Sequence, residues 1–323
     1  MKKLAFLSVS AILLSAYAAS AWASYPTRPI KIVVGMAPGG APDIIARTLG
    51  ETMTRELGQA IVVENRPGAG GTISSRQVAR APADGYTLLM AEIPQLAMAP
   101  WLFKSVGYDL EKDFAPIGTV ASTPLFIAAN AKATAGIDSI QTFIERAKQS
   151  PASIHYSSSG IGSLHHVAME VFIKQSDITL THVPYKGSGQ AVPALVAGEV
   201  PVGMTALPAV GPYVASGEIK LLATTSAQRF SSMPEVPALS ELFPGYEFPS
   251  ELGLLAPSGT PQEAIDKISR ALKVALESPE IQARLQTLGS IPSWSSPQAC
   301  GEKLRSSVDR YKDAVKLTGI QAE

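Results

Sequence analysis

The 323-residue chain has little cysteine and little charge, and each scarcity removes a class of protein. A single cysteine, Cys300, cannot close an internal disulfide and offers no Cys/His ligand spacing for a structural metal. Basic and acidic residues balance at 27 each, and setting aside Lys2 and Lys3 leaves 25 basic residues. No general basic field exists to gather nucleic acid or an anionic surface, so neither is an expected partner. Beyond the N-terminal apolar run no segment is apolar for long enough to span a bilayer, and no membrane insertion is expected. Signatures of chemistry are missing as well: Gly-x-Ser-x-Gly, His-Glu-x-x-His and Gly-Lys-Ser/Thr do not occur.

What is present begins with an export signal. Met1-Lys2-Lys3 precedes an apolar run from Leu4 to about Ala19, and small residues stand at Ala21 and Ala23. These are the parts of a secretory signal peptide, so residues 1–23 are set outside the fold, with cleavage near Ala23. A mature chain of roughly 300 residues can bury enough surface without disulfides, most simply as two domains.

From Ile30 onward short β-branched runs alternate with helical patterns: strand Ile30 to Val34, helix from about Pro42 to Leu57, strand Ile61 to Glu64, helix Thr72 to Arg80, strand Tyr86 to Ala91. That alternation predicts an α/β fold with parallel strands buried on both faces. Two extended segments, Phe114 to Val120 and Leu125 to Ala128, then read as a strand crossing into a second lobe. A new series follows, with helices at Ile137 to Gln149, Leu164 to Lys174, Gln190 to Ala197 and Ala209 to Ser216. Its strands are Ile154 to Ser157, Leu180 to Val183, Val202 to Ala206 and Ile219 to Thr224. Phe248 to Ala256 reads as the return crossing, and Thr260 as the N-cap of a helix opened by Pro261. The expected lobes are residues 24–123 with 248–323, and residues 124–247.

Three glycine- or serine-rich turns join a strand to a helix: Gly35 to Asp43, Asn65 to Thr72, and Ser157 to His166. A turn of this kind can leave backbone N–H groups unpaired at a helix N-terminus, where they hold an anion. Such turns lie where open α/β sheets place their ligands, and glycine turns also occur merely to reverse the chain. Ser163 is placed to cap the third helix. Serines beside His165 and His166 raise a secreted hydrolase as an alternative, without the nucleophile elbow that would support it. Adjacent histidines on a helix point about 100° apart and do not jointly chelate one ion easily. The plain expectation is that His166 packs near the cleft and His165 meets solvent.

The chain resembles the extracytoplasmic solute receptors of tripartite tricarboxylate transporters, the Bug receptors. The resemblance runs through Tyr25 to Ile30, Pro38-Gly39-Gly40 with Asp43 and Ala46-Arg47, Glu64 to Gly71, Ala83 to Leu89, and Asp113 to Ile117. It continues through Ser163 with His166, Val183 to Gly187, and Ala256 to Pro261. It implies a two-lobe type II periplasmic binding protein, a Venus flytrap with two crossing strands. Such a protein is a periplasmic, monomeric receptor that needs no cofactor and catalyses nothing. It takes a small carboxylate to membrane permease subunits, or signals to a sensor protein.

The residues that the resemblance places on the ligand are Ala37, Pro38, Gly39, Gly40 and Asp43 from the first turn and Gly68, Ala69, Gly70 and Gly71 from the second. From the other lobe come Ser157, Ser159, Gly162, Ser163, His166 and Thr205. Many members carry an acid where this chain has Thr205, which lessens the welcome for an ammonium group. Ser250-Glu251-Leu252-Gly253 stands where tryptophan is frequent; a Glu251 facing the cleft would repel a second carboxylate or bind a polar substituent, and an exposed Glu251 is the equal alternative.

Overall fold

The computed structural model describes residues 25–36, 38–39 and 41–321, so the expected signal segment lies outside the described residues. The chain runs β1 (Ile30–Val34), α1 (Ala41–Leu57), β2 (Ile61–Asn65), a 3-10 turn (Ala69–Gly71), α2 (Thr72–Ala79), β3 (Thr87–Glu92), α3 (Ile93–Leu102) and β4 (Phe114–Thr123). It continues with β5 (Leu125–Asn130), α4 (Ile140–Gln149), β6 (His155–Ser158), α5 (Leu164–Ser176), β7 (Thr181–Pro184), α6 (Ser188–Ala197), β8 (Val202–Ala206), α7 (Leu207–Ala215) and β9 (Ile219–Thr224). A second 3-10 turn (Leu239–Glu241) leads to β10 (Ser250–Pro257), α8 (Gln262–Glu277), α9 (Pro279–Thr287), β11 (Ile291–Pro292) and α10 (Pro297–Thr318).

The strands form two sheets, ordered β11-β4-β10-β3-β1-β2 and β7-β6-β8-β5-β9. Alternation in β1 and β3 explains why both faces of the first sheet are covered. Val33 and Leu89 join one apolar cluster, while Ile32, Val34, Leu88 and Met90 join another with α1 and α8. Only residues alternating in this way can feed two cores from one strand.

The sheets are mixed rather than purely parallel. β10 runs antiparallel to β3 and β4, and β5 runs antiparallel to β8 and β9. The reason lies in the connectivity: β4 passes into β5 through Pro124 alone, so the strand leaves one sheet at the end where it enters the other, against its neighbours. The crossings are tied together at Thr225, whose N–H donates to Leu125 O at 2.8 Å and whose hydroxyl donates to Phe248 O at 2.9 Å. The larger apolar cluster draws on both sheets, from Leu89 to Tyr156 and Met204, and α10 contributes Cys300, Leu304 and Tyr311 to it.

Elements depart from the sequence expectation in bounds and in kind: α4 begins at Ile140 instead of Ile137, α6 at Ser188 instead of Gln190 and α7 at Leu207 instead of Ala209, and β11 was not expected. α3 had no counterpart there, because Pro94 and Pro100 disguise it; proline is tolerated in the first turn of a helix, and Pro100 falls near its end. α8 begins one residue later than expected, with Pro261 at the N-cap, while the Thr260 hydroxyl turns back to donate to Pro257 O at 2.8 Å.

Candidate functional site

The first two turns are packed together. A Cβ on Gly35 would stand 2.6 Å from Ser74 Oγ and 3.0 Å from Gly71 Cα, so only glycine lets the two backbones lie side by side. Ser74 and Ser75 both donate to Gly71 O, at 2.7 and 2.8 Å, and hold the second turn against α2. Gly68, Gly70 and Gly71 all have positive φ, so the turn needs its glycines for backbone shape as well. Ala69 lies in the same 3-10 turn. Pro38 and Gly39 are exposed at the tip of the first turn, and Ala37 and Gly40 lie outside the described residues.

Asp43 organises the first turn from inside. Its carboxylate accepts from Gly39 N–H at 2.9 Å, from Asn65 Nδ2 at 2.9 Å and from Arg47 Nε at 3.0 Å. Asn65, at the end of β2, also donates to Met36 O at 3.1 Å, binding the second turn's entry to the first turn. Burial pushes the Asp43 carboxyl up, but Arg47, the Gly39 amide and Asn65 outweigh it and hold the group below the usual carboxylate range. Both oxygens are thus committed to the loop.

In the second sheet the third turn closes on itself. Ser163 Oγ accepts from His166 N–H at 3.2 Å, as its capping position predicts, and donates to Gly160 O at 2.8 Å. Gly162 N–H donates to His166 Nδ1 at 3.2 Å, and Ser159 Oγ meets His165 Nδ1 at 2.5 Å. Ser158 Oγ meets His182 Nε2 at 2.7 Å, and the His166 and His182 rings stack with centroids 3.8 Å apart. Ser157 is buried beneath the turn, against Gly203, where any side chain would collide with its hydroxyl.

Two expectations are corrected here. His165 does not meet solvent; it is 8 % exposed, nearly as buried as His166 at 7 %. Neither are the turn amides generally free. Gly39, Gly71, Gly160, Gly162 and Ser163 each donate their N–H inside the protein, because the turns fold back far enough to satisfy their own donors.

Burial lowers the three inner histidines: His165 to about 4, His182 to about 4, and His166 to about 3 with His182 adding to the effect. All three are therefore neutral, and a His166 that accepts at Nδ1 carries its proton on Nε2. The Ser159–His165 and Ser158–His182 pairs resemble the start of a catalytic relay, but bases this weak abstract a hydroxyl proton poorly at neutral pH. Among the described residues no group of three or more His, Cys, Asp or Glu side chains is placed to hold a metal ion, and no helix is long and apolar enough to cross a membrane.

The turns of the two sheets meet at Gln95, on α3. Its Nε2 donates to Gly162 O at 3.2 Å, and the same atom would lie 2.8 Å from a Cβ on Gly70. Sequence reasoning missed Gln95 because α3 itself was hidden. Thr205, near the end of β8, is 4 % exposed, and its hydroxyl has no hydrogen-bond partner among the described residues. Glu251 is turned onto α10, where it forms an ion pair with Lys303.

The arrangement has close relatives. Residues 45–320 match the family described as "Tripartite tricarboxylate transporter family receptor". The chain belongs to that family. The match begins inside α1, so the first turn lies just outside it. Protein BugT of Bordetella pertussis is 33 % identical to the receptor over 300 residues, covering 92 % of this chain and 91 % of BugT. Among solved structures, Rhodopseudomonas palustris Rpa4515 with adipate superposes with a TM-score of 0.85 at 31 % identity, covering 93 % of the receptor and all of that chain. MatC of the same organism, with bound malate, gives 0.81 at 28 % identity over 90 % of the receptor and 100 % of MatC. The receptor's two sheets and two crossings are the two-lobe fold of periplasmic binding proteins, BugD included.

Proposed function

We propose that the receptor captures a small organic acid in a cleft between two lobes, residues 24–123 with 248–323 and residues 124–247, after export to the periplasm. The observation that carries this reading is the convergence of three strand-to-helix turns, two packed at Gly35 and Gly71 and the third reached through Gln95. A carboxylate fits there because glycine backbones admit close approach and helix N-termini carry partial positive charge.

In this reading Ala37 to Gly40 and Gly68 to Gly71 surround one carboxylate, and Asp43 shapes the first of these turns without touching the ligand. Ser157, Ser159, Gly162, Ser163 and Thr205 form the opposing wall, and His166 offers the Nε2–H left over from its bond to Gly162. The adipate and malate held by the two relatives support an acid of comparable size. Closure excludes water and strengthens each hydrogen bond, and the closed form delivers its cargo to the membrane subunits of a tripartite tricarboxylate transporter.

A thermal-shift screen of organic acids against neutral sugars and aromatics tests the reading, since a ligand that binds only the folded form raises its apparent stability. Carboxylates that raise the midpoint support it. A shift confined to sugars or aromatics overturns it.

A further inference from the structure

An open sheet ends in strands whose outer backbone groups lack partners, and three of the receptor's four sheet edges are blunted against pairing. β11 is only Ile291–Pro292, and β7 ends in Pro184. β9 closes on the chain that follows it, where Thr224 bridges to Ala238 and donates its N–H to Pro237 O at 2.8 Å. The fourth edge, β2, contains no proline and no bulge, and it pairs with β1 alone among the described residues.

Which groups of β2 are free follows from its ladder. Ile30 N–H donates to Ala60 O and Arg66 N–H donates to Val34 O, so Ala60, Val62, Glu64 and Arg66 bond to β1, while Ile61, Val63 and Asn65 direct their backbone outward. Thr54 Oγ1 takes the Ile61 N–H at 3.1 Å. Ile61 O, both polar groups of Val63 and Asn65 N–H have no partner among the described residues. On one face of the strand Val62 is 49 % exposed, beside Glu64, which is held by Lys31 and Arg66. On the other face Ile61 and Val63, with Arg47, Gly50, Glu51 and Thr54 of α1, line an open groove of about 260 Å³ along the edge.

We propose that this edge docks a second copy of the chain, β2 antiparallel to β2 about a twofold axis at Val63, so that two six-stranded sheets become one. The proposal is independent of the ligand reading and departs from the monomer that the resemblance implies. In this register Val63 exchanges both of its bonds with the partner's Val63, and each Asn65 N–H reaches the partner's Ile61 O, so every outward group left free on one copy meets its complement on the other. A twofold contact requires such self-complementarity, because the same patch faces itself. The side chains agree with it. Val62 comes to lie across from the partner's Glu64, whose charge is already neutralised by its own cations. α1 runs antiparallel to β2, with Arg47 Nη2 on Asn65 Oδ1 at 3.0 Å and Thr54 at Ile61, so the axis turns Arg47 of each copy toward the partner's Glu51. Glu51 is exposed and has no ion pair of its own among the described residues, whereas Arg47 pairs internally with Asp43. A foreign strand could satisfy the backbone groups, but only a second copy brings this alternation of charge to the groove.

The test is sedimentation velocity of the full mature chain over a rising concentration series, for the wild type, Val63→Pro and Glu51→Lys, with amide hydrogen exchange of the wild type at both ends of the series. The wild type is expected to pass from monomer to dimer, and the Val63 and Asn65 amides to gain protection as it does. Val63→Pro removes an N–H that β1 does not use, at a place where edge strands accept proline, and should sediment as a monomer throughout with its melting midpoint near that of the wild type. Glu51→Lys sets like charges across the axis and should weaken the dimer by up to roughly tenfold, the two symmetric contacts acting together. It lies on an exposed helix face, so it decides the matter if the proline disturbs folding. A wild type that stays monomeric at every concentration overturns the proposal. So does a dimer that neither substitution weakens, which would use another face, and so does one whose Val63 and Asn65 amides still exchange freely. Amides already protected in the monomer would place a segment of the same chain on the edge and overturn it as well. None of these results bears on the carboxylate reading.

Discussion

Gln95 and Gly162 join the two halves of the receptor directly: the amide of one donates to the backbone carbonyl of the other at 3.2 Å in a buried setting. The bond needs both sheets in their present relation, so it ties the two sheets to one another rather than holding either one together.

Gln95→Ala removes that bond and leaves a carbonyl to find water. An intramolecular hydrogen bond contributes about 1 kcal/mol net, so ligand affinity should fall by roughly fivefold, chiefly through faster release. Stopped-flow release of a bound acid, with the melting midpoint of the ligand-free protein as control, checks it. A drop in stability with unchanged release would place the bond in folding instead.

Gly35→Ala tests the packing of the first two turns. The new Cβ would press on the Gly71 backbone at 3.0 Å, and backbone cannot swing away as a side chain does. Overpacking of this kind costs about 1–3 kcal/mol, readable as a lower urea midpoint, and binding should fall further than stability does.

Asp43→Asn separates shaping from contact. The substitution gives up the ionic bond to Arg47 and weakens acceptance from Gly39 and Asn65, a loss of roughly 1–3 kcal/mol. Affinity for a carboxylate should fall even though a negative charge has been removed near an anion. Tighter binding in Asp43→Asn would mean that the native carboxylate faces the ligand and repels it.

The inner histidines set an acid limit. Unfolded rings take up protons from about pH 6.5 downward, whereas the folded rings wait until about 4 for His165 and His182 and about 3 for His166. Their folded pKa values lie below the unfolded value, so stability is whole above pH 6.5 and drains as pH falls. His165 alone should cost on the order of 3 kcal/mol by the time both states are protonated. Histidine NMR through pH 5 should show these three rings unprotonated, with His166 in the Nε2–H tautomer. Urea midpoints should decline between pH 6.5 and 5. A ring among the three that titrates near 6.5 contradicts the account.

The alternation of β-branched runs and helices was legible because central strands such as β1 feed two cores, as Val33 and Val34 do. So were the capping of α5 by Ser163 and the approach of the glycine turns to helix starts. What stayed hidden depends on partners distant in sequence. Nothing local to Gln95 announces Gly162, and two prolines masked the helix that carries it. The burial of His165 depends on how the third turn folds over it, and the ion pair that turns Glu251 away depends on Lys303, on a helix 52 positions on. The free amides expected of the turns were in part consumed by the turns' own geometry, which residue types alone do not specify.

The most direct test is a crystal structure of the mature receptor with a bound small carboxylate. The account predicts one carboxylate enclosed by the Gly35–Asp43 and Gly68–Gly71 turns, with the third turn closing from the opposite lobe. A ligand seated away from both glycine turns, or a neutral molecule preferred in that place, would contradict it.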